Sequence, residues 1–326
     1  MERTVVNIES SFDKINQNQR FVFLGSCFAN NIGDQFIHYK LKSTVNPLGV
    51  IFHPISLMRL MDRSLNENWF TEKDFFEFDS YWFNYELSGT CAQASLKSAI
   101  VFANNQLVEL RSSFVNADRL FLTFGSAIGY VKNGEVVANC HKQEGSLFAK
   151  NNFKEERLFN VVKSSLELLM KINKNIRVHI TVSPVRHKKE GLVENSRSKA
   201  TLINLAHNLS DYFPGVEYFP AYEIVVDELR DYQYFNNDLV HPNLNAINII
   251  WNRLLETLAT NDLNKFVEKS SQLNKSIKHR SLHPKSISNK FFLKKLINQL
   301  YAFQKGTNTS WSTEIEEVEL ILKSLN

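Results

Sequence analysis

Short apolar runs alternate with longer amphipathic stretches along most of the chain. Three runs, at 21–25, 119–125 and 177–185, contain or end at a glycine or proline and are typical of buried strands. A shorter strand is predicted near 216–219. Helices are predicted over about 27–40, 92–114, 155–173, 196–210 and 243–258. Strands that alternate with helices predict an α/β fold in which a parallel sheet carries helices on both faces.

Two hairpins interrupt this alternation. Asn133-Gly134 is a strong short-range signal for a hairpin turn, and the weakly alternating segment at 77–89 indicates a second, inserted hairpin. In open α/β sheets, ligands bind outside the carboxyl ends of the strands. Candidate catalytic and binding residues are therefore expected directly after the strands.

Ser26 comes directly after the first predicted strand and before the first predicted helix. Its side chain is expected at the sheet edge, close to the N–H groups of the helix start, which suits a nucleophile whose oxyanion needs stabilisation. Serine is equally common as a simple helix N-cap, so the local pattern leaves both interpretations open. Cys27 and Cys140 are rival nucleophiles, although free cysteines are more often packed in a core.

Asp238 and His241 lie three residues apart in the segment NNDLVHPN, before the last predicted α/β helix. An aspartate at this spacing can accept the imidazole Nδ1–H and leave Nε2 free as a base. An aspartate that caps a turn beside a surface histidine would give the same pattern. Together with Ser26, the pair forms a candidate triad in the chain order Ser, Asp, His.

Seven short blocks follow one another within roughly residues 20–255. They are GSCFAN at 25–30, NPLGVIFHP at 46–54, VVANCHK at 136–142, SPVRH at 183–187, SKATL at 198–202, YFPAYEI at 218–224 and DLVHPN at 238–243. As an ordered set they resemble the signatures of the GSCFA family, a branch of the SGNH (GDSL-like) hydrolases. The resemblance implies a three-layer, doubly wound (flavodoxin-like) parallel sheet and an activity on ester bonds.

The resemblance also implies roles for individual residues. Ser26 would be the nucleophile, His241 the general base and Asp238 the carboxylate that orients it. Gly49 would lend a backbone N–H to the oxyanion hole, and Asn139 is the candidate side-chain donor. Ordinary SGNH enzymes place that asparagine at the end of a central strand, whereas this chain reads FGSAIG there and has Asn139 farther on.

His141 and Lys142, in the block that contains Asn139, are predicted to contact the substrate. No GxGxxG or GxxxxGK[ST] loop is present, so no nucleotide cofactor is expected. No HExxH motif or Cys/His cluster suggests a metal ion.

Composition limits the remaining possibilities. The formal net charge of +4 is too small to indicate a nucleic-acid partner, and no apolar run approaches the ~18 residues of a membrane span or reads as a signal peptide. Three cysteines without a CxxC pair fit a reducing compartment, so a cytoplasmic location is expected.

The composition changes near residue 261, so we predict a hydrolase domain over 1–260 and a helical appendix over 261–326. Between Lys265 and Lys305 the chain has ten basic residues and one acidic residue. Apolar residues at helical spacing there predict a packed helix over 286–304 with solvated lysines, in preference to a nucleic-acid surface. A short acidic helix is expected over about 313–324.

The leading hypothesis is hydrolysis of an ester that carries a small acyl group on a carbohydrate or related metabolite. Two alternatives remain at this stage. The same triad could transfer the acyl group to a sugar hydroxyl, or the scaffold could be a non-catalytic binding module that has lost its oxyanion hole. The expected partner in each case is a small molecule or carbohydrate, and the sequence gives no oligomeric state.

Overall fold

The computed structural model describes residues 4–307 and 309–325 of the chain. Its strands are β1 (Arg20–Gly25), β2 (Lys42–Val45), β3 (Phe76–Phe78), β4 (Tyr81–Phe83), β5 (Arg119–Phe124), β6 (Ile128–Lys132), β7 (Glu135–Val137), β8 (Ala149–Asn152), β9 (Arg177–Val182) and β10 (Val216–Tyr218). Its helices are α1 (Cys27–His38), α2 (Pro54–Leu65), α3 (Leu96–Asn116), α4 (Glu155–Ile172), α5 (Leu192–Tyr212), α6 (Ala221–Glu223), α7 (Leu244–Leu258), α8 (Asn261–Lys278), α9 (Ile287–Thr307) and α10 (Ser312–Ser324). Within these ranges, no helix has both the length and the apolar composition needed to cross a bilayer.

A five-stranded parallel sheet forms the centre of the molecule. Its strand order is β10-β9-β5-β1-β2, which is the flavodoxin-like order 2-1-3-4-5 when only these strands are numbered along the chain. The direction of winding reverses between β1 and β5, so the ligand site is expected at the carboxyl ends of these two strands. The predicted fold class, a doubly wound α/β sheet with a helical C-terminal part, is confirmed.

Two apolar cores cover the two faces of the sheet. On β1, Val22 and Leu24 face one core with α2, α3, α4 and α5, while Phe21 and Phe23 face the other core with α1 and α7. Side chains alternate between faces along a strand, so one apolar run supplies both cores. All six residues of β5 are buried for the same reason.

Strands β2 and β8 and helices α2 and α6 were not predicted from the sequence. Strand β2 is short and only partly buried, with the sequence KSTV at the sheet edge, so it lacks the apolar run that identified the inner strands. Strand β8 is exposed along its whole length and is paired with β6. Helix α2 begins with Pro54 at its first turn and buries nine of its side chains, a pattern that the sequence does carry.

Both predicted hairpins are present. Strands β3 and β4 pair antiparallel within the segment at 77–89, with β3 beginning one residue earlier. Strands β6 and β7 also pair antiparallel, and their turn residues Asn133 and Gly134 have φ values of 51° and 84°. Positive φ at both central residues is the geometry that a two-residue hairpin turn requires.

The C-terminal helices α8, α9 and α10 enclose a third apolar core, which includes Leu273, Leu296, Leu300 and Trp311. The predicted helix over 286–304 is confirmed as α9, with Leu296 and Leu300 buried and Phe292 partly buried. Helix α8 contributes to this core and also to the one beside α1, so a domain boundary at 260/261 remains a prediction. Residues 1–3, 308 and 326 of the two predicted domains lie outside the described residues.

Contacts join these helices to the far end of α1. Lys40, two residues beyond α1, forms an ion pair with Glu314 and lies over the ring of Trp311. The rings of Phe266 and Phe303 stack with their centroids 5.3 Å apart. The C-terminal helices therefore contact the segment at the C-terminal end of α1, whereas Ser26 is the N-cap at the other end of the same helix.

We expect Leu300→Ala to lower the free energy of unfolding by about 2–5 kcal/mol, because it leaves a cavity in a core where Leu300 is fully buried. The matched control is Phe291→Ala on the same helix, where the side chain is 70% exposed and the expected change is within about 0.5 kcal/mol. Urea denaturation measures both values. Equal changes in the two variants would contradict the packing described for α9.

Candidate active site

Ser26 lies at the junction of β1 and α1, at the carboxyl edge of the sheet. It is the N-cap of α1, where its Oγ accepts a hydrogen bond from the Phe28 N–H at 3.3 Å. The preceding Gly25 has a φ of 133°, and a Cβ at that position would lie 2.1 Å from the Thr123 carbonyl oxygen. Only glycine fits this approach of β1 to β5, so the turn that carries Ser26 is fixed in position.

Asn46 supports the Ser26 turn from outside it, and the sequence did not single it out. It follows β2, and its Oδ1 accepts the Gly25 N–H at 2.8 Å, while its Nδ2 donates to Asn30 on α1 at 2.6 Å. The side chain is buried and thus ties the end of β1 to the first helix. The available signal was an asparagine directly before Pro47, between a strand and a turn.

Asp238 and His241 form a hydrogen-bonded pair in the loop before α7. His241 Nδ1 lies 2.7 Å from Asp238 Oδ2, while Asp238 Oδ1 accepts the backbone N–H groups of Val240 and His241 at 2.8 and 3.0 Å. Leu239, at the centre of this turn, has a φ of 59°. Asp238 therefore caps the turn and orients the imidazole at the same time.

The environment of Asp238 keeps its carboxylate ionised. The hydrogen bond from the His241 side chain, followed by those from the backbone N–H groups of His241 and Val240, lowers the pKa of Asp238 to about 2. An ionised carboxylate at Nδ1 favours the tautomer with the proton on that nitrogen, so Nε2 is left as the basic atom.

The loop that carries this pair is bonded to the segment after β9, and the charges of the pair act on groups near Ser26 and near that segment. Burial raises the pKa of the Cys27 thiol, and the Asp238 carboxylate acts on it in the same direction. The Arg186 N–H, after β9, donates to the Val240 carbonyl at 3.1 Å. His241 lies close enough to His187 to lower its pKa, although burial has the larger effect there.

Ser26 and His241 are not joined by a hydrogen bond in the described part of the chain, where Ser26 Oγ is bonded to the Phe28 N–H. Catalytic hydrogen bonds are often longer without substrate and tighten when it binds. The role of Ser26 as nucleophile, with His241 as its base, stays a prediction.

The two candidate backbone donors to the oxyanion occupy other hydrogen bonds, and the Asn139 side chain is held through its oxygen. The Gly49 N–H donates to the Asn46 carbonyl at 2.8 Å, and the Ser26 N–H donates to the Thr123 carbonyl at 3.0 Å. Asn139 Oδ1 accepts the His141 N–H at 2.7 Å. The arrangement described is therefore not an assembled oxyanion hole, and the roles of Gly49 and Asn139 stay predictions.

One segment nevertheless connects Gly49 with Asn139. A Cβ on Gly49 would lie 2.3 Å from the Ser88 Cβ. Gly89 follows Ser88 in the chain, and a Cβ on Gly89 would lie 3.7 Å from Asn139 Nδ2. Gly49 has a φ of 78°, and Ser88 leaves no room for a side chain there. Both candidate donors thus pack against the segment that follows the inserted hairpin.

His141 is enclosed by this hairpin. Only 5% of the residue is exposed, its Nε2 lies 2.8 Å from the Asn84 carbonyl oxygen, and its ring contacts those of Phe76 and Phe83. Burial lowers the pKa of His141, so the ring is neutral at physiological pH. Lys142 is exposed beside it. Substrate binding by either residue stays a prediction, and His141 has a structural contact of its own.

Two family models match the chain. The model described as the GSCFA family covers residues 20–254. The chain belongs to the GSCFA family. A second model, described as the C-terminal domain of GSCFA domain proteins, covers residues 270–324 and so includes the second half of α8 together with α9 and α10. No curated protein matches the chain.

The thiols of this GSCFA chain are poor rivals to Ser26. Burial raises the pKa of Cys27 and Cys140, and it raises that of Cys91 to about 11. A thiol is a nucleophile as its thiolate, so all three are weakly reactive at neutral pH. Among the described residues, no group of three or more His, Cys, Asp or Glu side chains is arranged to hold a metal ion.

The lowered pKa of Asp238 predicts a pH-dependent contribution to stability. Since the folded pKa of about 2 lies below the ~3.9 of an unfolded aspartate, the contribution is present above about pH 4 and is lost as the pH falls through about 2. The stability difference between the wild type and Asp238→Asn should therefore shrink between pH 5 and pH 2. Urea denaturation at each pH measures it.

The control for this comparison is Asp79→Asn, an exposed turn residue with a φ of 49°, where asparagine is well tolerated. Its stability difference from the wild type is the reference for the loss of an exposed turn carboxylate. A difference for Asp238→Asn that is independent of pH would contradict the hydrogen-bonding account of this carboxylate.

Proposed function

We propose that the chain is a serine ester hydrolase of the SGNH type, which removes a small acyl group from a carbohydrate or related metabolite. The observation that carries the proposal is the 2.7 Å hydrogen bond between Asp238 and His241 Nδ1, on a loop that is bonded to the segment after β9. A neutral imidazole held in this tautomer can take a proton from a hydroxyl through Nε2. Membership of the GSCFA family is compatible with this chemistry.

In the proposed reaction, Ser26 Oγ attacks the ester carbonyl carbon while its proton passes to His241 Nε2. The carbonyl π electrons move onto oxygen, and collapse of this oxyanion expels the alcohol, which takes the proton from His241. Water then repeats the sequence on the acyl-enzyme, releasing the carboxylic acid and free Ser26. Asp238 stays ionised throughout and stabilises the imidazolium that forms in each half-reaction.

The remaining elements of the proposal are a small-molecule or carbohydrate ester as the partner, no cofactor and a cytoplasmic location. Nucleic acid is not part of it, because α9 buries its apolar residues in the third core while its lysines at 294 and 295 are solvated.

A second candidate function is a non-catalytic binding module. The observation in its favour is that the N–H groups of Gly49 and Ser26 both donate to backbone carbonyls and are not free for an oxyanion. An acyltransferase would use the same triad but release product only with an acceptor alcohol. Turnover of p-nitrophenyl acetate separates the three, because a binding module gives neither burst nor turnover and a transferase is accelerated by the acceptor.

Substitution of Ser26 tests the nucleophile. We expect Ser26→Ala to abolish labelling by a fluorophosphonate and turnover of p-nitrophenyl acetate, since the rival thiols Cys27 and Cys140 have raised pKa values. Loss of the N-cap alone costs about 1 kcal/mol of stability, whereas Ser26→Gly costs only a few tenths, so both variants should be folded and inactive. Cys27→Ala is the matched control and should keep activity; labelling that maps to Cys27 would reject Ser26.

The orienting role of Asp238 is tested by Asp238→Asn. The amide oxygen can still accept the N–H groups of Val240 and His241, but the amide nitrogen would donate toward Nδ1 and place the imidazole proton on Nε2. We expect kcat to fall roughly 10,000-fold, as in other triads with the wrong tautomer, while KM changes little. Circular dichroism checks the fold, and full activity in this variant would show that Asp238 is only a turn cap.

A further inference from the structure

Lys199, on α5, is buried at the carboxyl edge of the central sheet. The residue is 1% exposed, and its Nζ donates hydrogen bonds of 2.6 Å to the carbonyl oxygens of Gly125 and Ser183. Gly125 directly follows β5 and Ser183 directly follows β9, so one amine joins the ends of two adjacent strands.

The environment of this lysine is unusual because its two partners are uncharged. Lysine is rarely fully buried unless an opposite charge compensates it, and an uncompensated buried ammonium is costly. Among the described residues, no carboxylate acts on the pKa of Lys199; burial lowers this pKa, and the Cys27 side chain opposes the effect only in part. An apolar side chain at this position would leave two buried carbonyl oxygens without this donor, and a buried amine at the carboxyl edge of the sheet is a candidate for a functional role.

The charge of Lys199 reaches the turn that carries Ser26. Burial raises the pKa of the Cys27 thiol, and the Lys199 ammonium opposes this effect, so the ammonium stabilises negative charge at the residue next to Ser26. Gly125, to which Lys199 is bonded, follows β5 at the point where the sheet reverses its winding. The Ser26 N–H donates to the Thr123 carbonyl at 3.0 Å, two residues before Gly125, so the end of β5 that Lys199 holds is also the one that the Ser26 turn contacts.

We infer that Lys199 is a positioning residue of the active site, whose ammonium joins the ends of β5 and β9 and stabilises the oxyanion electrostatically. The inference rests on the proposed esterase function. It accounts for the stabilisation of an oxyanion where the N–H groups of Gly49 and Ser26 are already engaged. A preoriented charge in a site that excludes water stabilises a transition state far more than the same charge in solvent.

Loss of the proton from Lys199 separates its charge from its structural role. Burial lowers the pKa of Lys199 to about 7. A neutral amine keeps two N–H groups, which is enough to bond both Gly125 and Ser183. Deprotonation would thus leave the strand ends joined while removing the positive charge, so kcat is expected to fall as the pH rises through about 7.

The groups that face Lys199 do not titrate in that range. They are Cys27 on α1, His187 after β9 and Tyr222 on α6, whose ring centroid lies 5.9 Å from Nζ. Burial lowers the pKa of His187 to about 4, and Lys199 acts in the same direction. Burial raises the pKa of Cys27 and Tyr222 above ordinary values that already exceed about 8.

The stability of the protein should change in the opposite direction to its activity. Since the folded pKa of about 7 lies below the ~10.4 of an unfolded lysine, the unfolded chain binds the additional proton between these values. The contribution of Lys199 to the free energy of unfolding therefore rises with pH over this window. A purely structural lysine would give this rise in stability without the fall in kcat.

The experiment compares wild type, Lys199→Met, Lys199→Arg and the exposed control Lys295→Met from pH 5.5 to 9.5. Turnover of p-nitrophenyl acetate is corrected with Ser26→Ala, and urea denaturation is run in parallel. At pH 6 we expect Lys199→Met to have a kcat roughly 100-fold below wild type with little change in KM, and no fall above pH 7. Lys199→Arg, which stays charged, should recover part of the activity at pH 9.

The outcomes distinguish the inference from the function on which it rests. A wild-type kcat in Lys199→Met, or the same fall above pH 7 in that variant, overturns the inference and leaves the esterase intact. A wild type with no turnover and no labelling of Ser26 overturns both. If Lys199→Met does not fold, the wild-type profile decides, because a kcat that does not fall near pH 7 also overturns the inference.

Discussion

At the end of β1, the backbone of Gly25 passes so close to the Thr123 carbonyl of β5 that no side chain fits between them. This contact fixes the position at which β1 ends relative to β5, and therefore the position of Ser26 at the start of α1. Asn46 holds the same turn from the other side by accepting the Gly25 N–H. The position of the candidate nucleophile is thus determined by backbone packing between parallel strands. A triad would then require the Asp238 loop to bring His241 to that position.

Much of the fold was predictable because its inner strands are continuous apolar runs and its helices are amphipathic. Strand β1 begins one residue before its predicted start, while β9 ends at Val182 because the following residues turn away from the sheet. Strand β2 was missed because an edge strand with polar residues has no periodic signal strong enough to separate it from a loop. Strands that are buried on both faces of the sheet were predicted, because they have to be apolar. The exposed edge strand was missed, because it does not.

The site was predictable only as far as its chemistry is local. Asp238 and His241 form one turn, so their spacing was sufficient to predict their hydrogen bond. The burial of Lys199 could not be predicted from local spacing, because a lysine in an amphipathic helix is normally expected to be solvated. The packing of α5 shows that it lies on the buried face. The positions of Gly49 and Asn139 depend on how the segment after the inserted hairpin packs, which no short motif encodes.

The ion pair of Lys40 with Glu314, and the contact of Lys40 with Trp311, join the segment that follows α1 to the C-terminal helices. Helix α8 extends this continuity, since its first half packs beside α1 and its second half lies in the third core. The matched segments at 20–254 and 270–324 are therefore not exchangeable modules in a physical sense. A chimera that takes each from a different relative would inherit complementary surfaces only if α8 and the residues around Lys40 came from the same parent.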